Sequence, residues 1–130
     1  MTKNLKVHFT SGNDGWSTPK ETYNDLNKEF YFNDDPCPIN GNGGLEREWG
    51  SSTFVNPPYS QIKEWVKKAY NEWLKEKTIV MLIPSRTDTR WWHEYIMKAT
   101  EIRFIKGRLK FGGSKNSAPF PSCIVIFKKV

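Results

Sequence analysis

The segment 52–84 constrains the fold of this chain more than any other part of the sequence. It holds a short run at 52–55 that ends in Phe54 and Val55, a long amphipathic stretch at 60–74 and a continuous apolar run at 78–83 that ends at a proline. The apolar residues of the middle stretch recur at helical spacing, whereas the flanking runs have the length and composition of strands. The last run is apolar enough to be buried on both faces of a sheet. The segment therefore predicts an α/β fold with a crossover helix.

The rest of the chain extends this alternation of helix and strand. Thr18-Pro19-Lys20-Glu21 has the pattern of a helix start, with Thr18 as the cap and Glu21 reaching back toward it. The other predicted elements are a strand at 30–32, a loop at 36–50, a polar loop at 85–89 with Thr87 or Asp88 as a helix cap, a helix at 92–99, a strand at 101–105, an arm at 106–111, a loop at 112–121 and a strand at 123–127. We therefore predict about five core strands with crossover helices and a C-terminal strand pair.

The length of the chain is that of one domain. A chain of 130 residues can bury one modest core but not two. We assign that domain to residues 18–130 and treat residues 1–17 as an irregular arm that precedes it.

The net charge of +6 and the pI of about 9.3 favour a polyanionic partner, because lysine and arginine release counterions from phosphates. Cys37, Cys123 and two histidines show no metal-ligand spacing, so we expect free thiols and no metal. No apolar stretch has membrane-spanning length and no run resembles a signal peptide. These features predict a reducing, cytoplasmic setting without membrane contact.

The string Asn56-Pro57-Pro58-Tyr59 is the most informative part of the sequence. A given four-residue string arises by chance in a chain of this length with a probability on the order of one in a thousand or less. It follows a predicted strand and precedes a predicted helix, where the two prolines end the strand and stiffen the turn. We therefore predict that these four residues form a catalytic loop.

These residue types suit methyl transfer to a planar amine such as N6 of adenine, whose lone pair is delocalised into the ring. Two acceptors aimed at the amine hydrogens, the Asn56 side-chain oxygen and the Pro57 carbonyl, would localise that lone pair. Tyr59 offers a ring on which a base turned out of a duplex can stack. Direct transfer needs no covalent enzyme intermediate, so no activated cysteine or serine is required.

The chain resembles a known family at this string and well beyond it. Asn-Pro-Pro-Tyr after a strand is the signature of amino-group methyltransferases, and the wider layout is similar to the small phage-type N6-adenine DNA methyltransferases. The shared stretches are 16–19, 32–37, 54–60, 82–93, 107–111 and 118–122. The resemblance implies a reduced Rossmann-like methyltransferase fold, S-adenosylmethionine as donor, adenine in double-stranded DNA as acceptor, and a phage-encoded protein in the cytoplasm of a bacterial host.

The resemblance also implies which residues touch the methyl donor. In such methyltransferases a Thr-Pro before the first helix and an acidic residue after the first strand contact it, which points here to Thr18, Pro19 and one of two adjacent aspartates. The residues assigned to this site are Trp16, Thr18, Pro19, Asp34, Asp35, Pro36 and Asn56. Larger relatives carry two further strands before the catalytic loop. Only about twenty residues are available for them here, so we expect a reduced sheet.

Two basic segments are candidates for DNA contact. Residues after the central strand could clamp phosphate or read guanine, or form a helix cap beside a solvated arginine. A basic arm around an aromatic ring is suited to DNA contact. The same arm could instead be a charged strand edge that prevents aggregation. The candidates in the two segments are Arg86, Thr87, Asp88, Arg90, Lys106, Arg108, Lys110, Phe111 and Lys115.

Two alternatives to DNA adenine methylation remain open from the residues. The same loop could act on another planar amine or amide, such as cytosine N4, adenine in RNA or the glutamine side chain of a protein. The chain could also be a catalytically inactive DNA-binding relative, although the intact catalytic loop argues against this.

Overall fold

The computed structural model describes residues 17–38, 41–112 and 116–129. Its elements in chain order are α1 (Lys20–Phe30), β1 (Ser52–Val55), α2 (Ile62–Trp73), β2 (Thr78–Pro84), α3 (Arg90–Glu94), β3 (Glu101–Phe104) and β4 (Ser122–Phe127), with 3₁₀ turns at Tyr59–Gln61 and Ile96–Lys98. Within these ranges no helix is long and apolar enough to cross a membrane. The predicted arm at 1–17 lies outside the described residues except for its last residue.

The described strands form a mixed sheet with the order β1-β2-β4-β3. β1 and β2 are parallel and are joined through α2, as the sequence predicted. β4 lies between β2 and β3 and runs antiparallel to both. The prediction of an α/β sheet with a C-terminal strand pair is therefore confirmed.

The first predicted strand is reduced to a single bridge. The expectation of a strand at 30–32 was wrong, because α1 continues to Phe30 and Tyr31 ends it in the left-handed conformation with φ 51°. Beyond it, Asp34 forms an isolated parallel bridge with Thr53 of β1, and the Phe54 N–H donates to the Asp34 carbonyl at 3.0 Å. The described sheet thus has four strands and a short extension at its β1 edge.

Both faces of the sheet are covered, and β2 shows this directly. Ile79, Met81 and Ile83 belong to a core shared with α2 and α3, whereas Val80 and Leu82 belong to a core shared with α1. Because successive strand residues point to opposite faces, a strand buried on both sides must be apolar throughout. This confirms the interpretation of the continuous apolar run as a central strand.

Two predicted helix caps are wrong. The N-cap of α1 is Pro19, and no side chain caps this helix by a hydrogen bond. α3 is capped by Thr89, whose hydroxyl accepts from the Trp92 N–H at 3.3 Å, instead of by Thr87 or Asp88. The hydroxyl of Thr18 is therefore available for a different contact.

A buried charge cluster ties the loop at 41–50 to the end of α2. Glu72 accepts from the Trp49 N–H at 3.2 Å and from Lys77, which also donates to the Trp49 carbonyl at 2.6 Å. Burial alone would raise the pKa of Glu72, but hydrogen bonds from Lys77 and Lys68 and from the Trp49 N–H lower it to about 2. Gly44 packs so closely that a Cβ would lie 1.9 Å from the Pro36 carbonyl oxygen. This loop is therefore packed onto the core beside the bridge at residue 34.

Candidate active site

The catalytic loop leaves β1 at the edge of the sheet where β2 also ends. The two strands are parallel, so their carboxyl ends lie side by side. Pro57 is buried, and Pro58 has φ −69° and leads into the 3₁₀ turn that begins at Tyr59. The turn continues directly into α2. The loop is thus held at both ends by regular structure, with Asn56 and Tyr59 half-buried.

The side chain of Asn56 contacts the Thr-Pro segment at the start of α1. Asn56 Nδ2 donates to Thr18 Oγ1 at 3.0 Å. The two residues are far apart in the sequence, which had assigned Thr18 to the donor site and Asn56 to both the catalytic loop and the donor site. The fold brings a predicted catalytic residue and a predicted donor-site residue into direct contact.

A cavity of about 120 Å³ opens beside the loop. Its lining residues are Tyr59, Ile62, Pro84, Arg86, Trp91 and Phe120. The rings of Tyr59 and Phe120 lie edge to face with their centroids 4.9 Å apart. Aromatic and aliphatic walls with one cation are suited to a planar heteroaromatic ring. Sequence reasoning missed Phe120 and Trp91, since neither shows a local signal that separates it from a core residue.

The two adjacent aspartates have different surroundings. Both carboxylate oxygens of Asp34 accept from Arg47, at 2.8 and 2.9 Å, and one also accepts from the Gly50 N–H at 2.9 Å. These bonds, with the Arg47 side chain as the leading contribution, hold the pKa of Asp34 below its usual value. The carboxylate of Asp34 is therefore bonded to Arg47 and Gly50 of the loop at 41–50, partners that the sequence did not reveal.

The side chain of Asp35 is exposed to solvent, and its Oδ1 accepts a hydrogen bond from the Cys37 N–H at 3.3 Å. Desolvation by surrounding protein, followed by repulsion from Asp34, raises the pKa of Asp35 to about 6. Asp35, whose side chain is exposed, is therefore the better candidate of the two aspartates for a ligand contact.

The surroundings of both cysteines disfavour the reactive thiolate. Both thiols are free. Burial raises the pKa of Cys37 to about 12 and that of Cys123 to about 11, so neither forms a thiolate near neutral pH. The described residues contain no group of three or more side chains that could hold a metal ion.

Comparisons with known proteins identify the family of the chain. Residues 7–130 match the sequence profile of the family described as DNA N-6-adenine-methyltransferase (Dam). This chain belongs to the Dam family. A protein of Escherichia phage T1 named DNA N-6-adenine-methyltransferase is 31% identical over 117 residues, which covers 74% of this chain and 46% of the phage protein. The chain thus spans about half the length of that relative. No solved structure matches this chain.

In this Dam-family chain the segment after β2 lies beside the cavity. Arg86 lines the cavity and forms an exposed ion pair with Asp88 at 3.8 Å. The carbonyl of Thr87 accepts from the ring of His93 at 2.8 Å, and Arg90 is exposed at the start of α3. An exposed pair of this kind contributes little to stability, so Arg86 can leave Asp88 for another anion at small cost.

The basic arm of the Dam-family chain is partly exposed and partly core. Lys106, Arg108 and Lys110 are exposed. The expectation that Phe111 faces DNA was wrong, because this ring is only 2% exposed and packs in the core shared with α1. The arm is also paired to the segment before α1, since the Gly112 N–H donates to the Ser17 carbonyl at 3.0 Å. Two further candidates, Trp16 and Lys115, lie outside the described residues.

Proposed function

We propose that this chain methylates N6 of an adenine that is turned out of double-stranded DNA, with S-adenosylmethionine as the donor. The observation that carries the proposal is the intact catalytic loop of a Dam-family chain beside a ring-lined cavity. Within this proposal the sheet is a reduced Rossmann-like methyltransferase fold, with the residue-34 bridge in place of a full first strand.

The loop activates the amine by accepting its two hydrogens. The Asn56 side-chain oxygen and the Pro57 carbonyl accept one N6 hydrogen each, which draws the nitrogen from planar toward tetrahedral geometry and localises its lone pair. S-adenosylmethionine supplies the methyl group, so that a nitrogen–carbon bond forms while the carbon–sulfur bond breaks and its electron pair stays on sulfur. The nitrogen then loses one proton to solvent, which restores a neutral amine.

The cavity receives the base. Tyr59 provides a ring for stacking. Phe120 supports that ring in an edge-to-face contact, with the two ring centroids 4.9 Å apart. Removal of a base from the duplex costs a few kcal/mol, and stacking on an aromatic ring returns about 1–3 kcal/mol. Arg86 at the rim of the cavity lies where it can bind a phosphate that flanks the target nucleotide.

The donor site lies at the carboxyl edge next to the loop. Thr18, Pro19, Asp35 and Pro36 line it in this proposal, and Trp16 precedes them in the chain. The chemistry of these residues fits the donor, because an accessible carboxylate can bind its ribose hydroxyls or its ammonium group. A second feature fits as well: Ser17 Oγ is buried without a hydrogen-bond partner among the residues that the structure describes, as expected where a polar ligand supplies the partner.

The exposed cations of the arm contact DNA phosphates in this proposal. The logarithm of DNA affinity should therefore fall steeply and linearly with the logarithm of salt concentration. Removal of one contact, by Arg108→Ala or Lys110→Ala, should lower that slope by about one unit. Lys67→Ala, an exposed lysine of α2, should leave the slope unchanged. If the arm variants and Lys67→Ala have the same slope as the wild type, the arm does not face DNA.

The reaction is tested by transfer of labelled methyl to DNA, followed by digestion of that DNA to nucleosides. We expect the label in N6-methyladenine. Label in N4-methylcytosine would keep the loop chemistry and change the base. Label in RNA or protein but not in DNA would contradict the proposed substrate, and no transfer together with retained DNA binding would indicate an inactive DNA-binding relative.

A further inference from the structure

The contact between Asn56 and Thr18 has a direction that matters for the amine reaction. Asn56 Nδ2 donates to Thr18 Oγ1 at 3.0 Å, between two half-buried residues. The side-chain amide is planar, with its oxygen and nitrogen on two branches about 120° apart. A bond at the nitrogen therefore sets the plane of the group and the direction of its oxygen.

The position of the Thr18 hydroxyl is set from both sides. Ser17 is paired with Gly112 through a backbone bond of 3.0 Å. Pro19 has a restricted φ and begins α1, where its carbonyl accepts from the Tyr23 N–H at 3.0 Å. A threonine before a proline at a helix start would ordinarily cap the helix, yet no side chain caps α1 by a hydrogen bond. The hydroxyl is directed to the catalytic loop instead.

We propose that Thr18 is a positioning residue for catalysis, and that its hydroxyl holds the Asn56 amide with the oxygen toward the substrate amine. The proposal rests on the proposed function, since it assigns the Asn56 oxygen to the amine. A rotation of the amide by 180° would present its two N–H groups to the amine hydrogens. Donor would then face donor, and one of the two acceptors would be lost.

This role differs from donor binding, which the family resemblance implies for the same threonine. A donor contact acts through the affinity for S-adenosylmethionine and does not depend on Asn56. A positioning contact acts through Asn56 alone, and it appears in the rate of methyl transfer on the fully bound complex. The two roles are therefore separable by a double-mutant cycle.

The experiment compares Thr18→Val, which keeps the shape and removes the hydroxyl, with Thr18→Ser, which keeps the hydroxyl. Single-turnover rates are measured at saturating DNA and S-adenosylmethionine, and both affinities are measured separately. We expect Thr18→Val to be about tenfold slower even when donor and DNA are saturating, as for loss of one hydrogen bond, and Thr18→Ser to be close to the wild type. Thr22→Val, a half-buried threonine of α1, is the control for general effects on that helix.

The decisive comparison is made in the Asn56→Ala background. There Thr18→Val should cause no further loss, because the group that it positions is gone. A wild-type rate for Thr18→Val, or an equal loss with and without Asn56, would overturn the proposal. If Thr18→Val weakens S-adenosylmethionine binding and saturation restores the rate, Thr18 is a donor contact and not a positioning residue.

A measurement without turnover separates this inference from the proposed function. The side-chain amide protons of Asn56, assigned by their loss in Asn56→Ala, should exchange slowly with solvent in the wild type and faster in Thr18→Val. This result would hold even if the protein methylated no DNA, in which case the proposed function fails and the contact stands. Equal exchange in the two proteins would overturn the positioning role whatever the activity.

Discussion

Asn56→Ala is expected to lower the single-turnover rate of methyl transfer by about a hundredfold or more, by analogy with loss of one preorganised hydrogen-bonding group in an oxyanion hole. The Asn56 oxygen matters most as the amine becomes tetrahedral, so its removal raises the barrier without weakening the ground-state complex. DNA affinity should therefore change far less than the rate. The measurement is methyl transfer to one oligonucleotide at saturating donor, with DNA binding followed in parallel.

Asn71→Ala provides the matched control, because Asn71 is an exposed asparagine near the C-terminal end of α2. It should have the rate of the wild type. If Asn56→Ala also transfers methyl at that rate, the catalytic assignment is wrong. If its rate falls only in proportion to its DNA affinity, Asn56 contributes to binding rather than to the chemical step.

The second large effect separates the two aspartates. Asp35→Asn should weaken S-adenosylmethionine binding by about 1.5–3 kcal/mol, the value of a hydrogen bond to a charged group. Asp34→Asn should instead lower the free energy of unfolding, because it breaks the paired bonds with Arg47 and weakens the contact with the Gly50 N–H. Calorimetry with the donor and denaturant unfolding without it measure the two effects.

The assignment of Asp35 also predicts how donor affinity and protein stability change with pH. The pKa of Asp35 is raised to about 6, so the carboxylate that we propose as a donor contact forms as the pH rises through that value. Donor affinity should increase from pH 5 to pH 7.5, and Asp35→Asn should lose this increase. In the free protein the raised pKa means that the folded state binds more protons than the unfolded state between about pH 4 and pH 6. The contribution of Asp35 to stability should therefore fall as the pH rises across that window.

A different result would reassign the site. If Asp34→Asn loses donor affinity at unchanged stability while Asp35→Asn binds normally, the donor contacts the first aspartate and the ion pair with Arg47 opens on binding. If neither variant loses affinity, the carboxyl edge beside the residue-34 bridge is not the donor site.

The elements that the sequence predicted correctly are those with local causes. The apolar period of α2 and the uninterrupted run of β2 are set by residues within each segment, and a proline disfavours the continuation of a central strand. The turn at Pro57 and Pro58 follows for the same reason. The predicted α/β sheet with a C-terminal strand pair was confirmed on this basis, because an α/β alternation leaves few topologies.

The predictions that failed depended on competition between a local preference and a distant partner. Thr18 has the local pattern of a helix cap, but its hydroxyl meets Asn56 instead. Phe111 lies between basic residues and yet packs in the core at 2% exposure. Residues 30–32 have strand composition, but α1 extends through Phe30.

The sequence by itself determined the catalytic loop as a candidate, the order of helices and strands, and a basic arm, since these depend on neighbouring residues. Only the tertiary structure decided which aspartate is available, because Arg47 reaches Asp34 from a separate loop. It also decided that Phe120 shares a cavity with Tyr59. Such contacts join segments that are far apart in the chain, and their energy depends on packing geometry that no local pattern encodes.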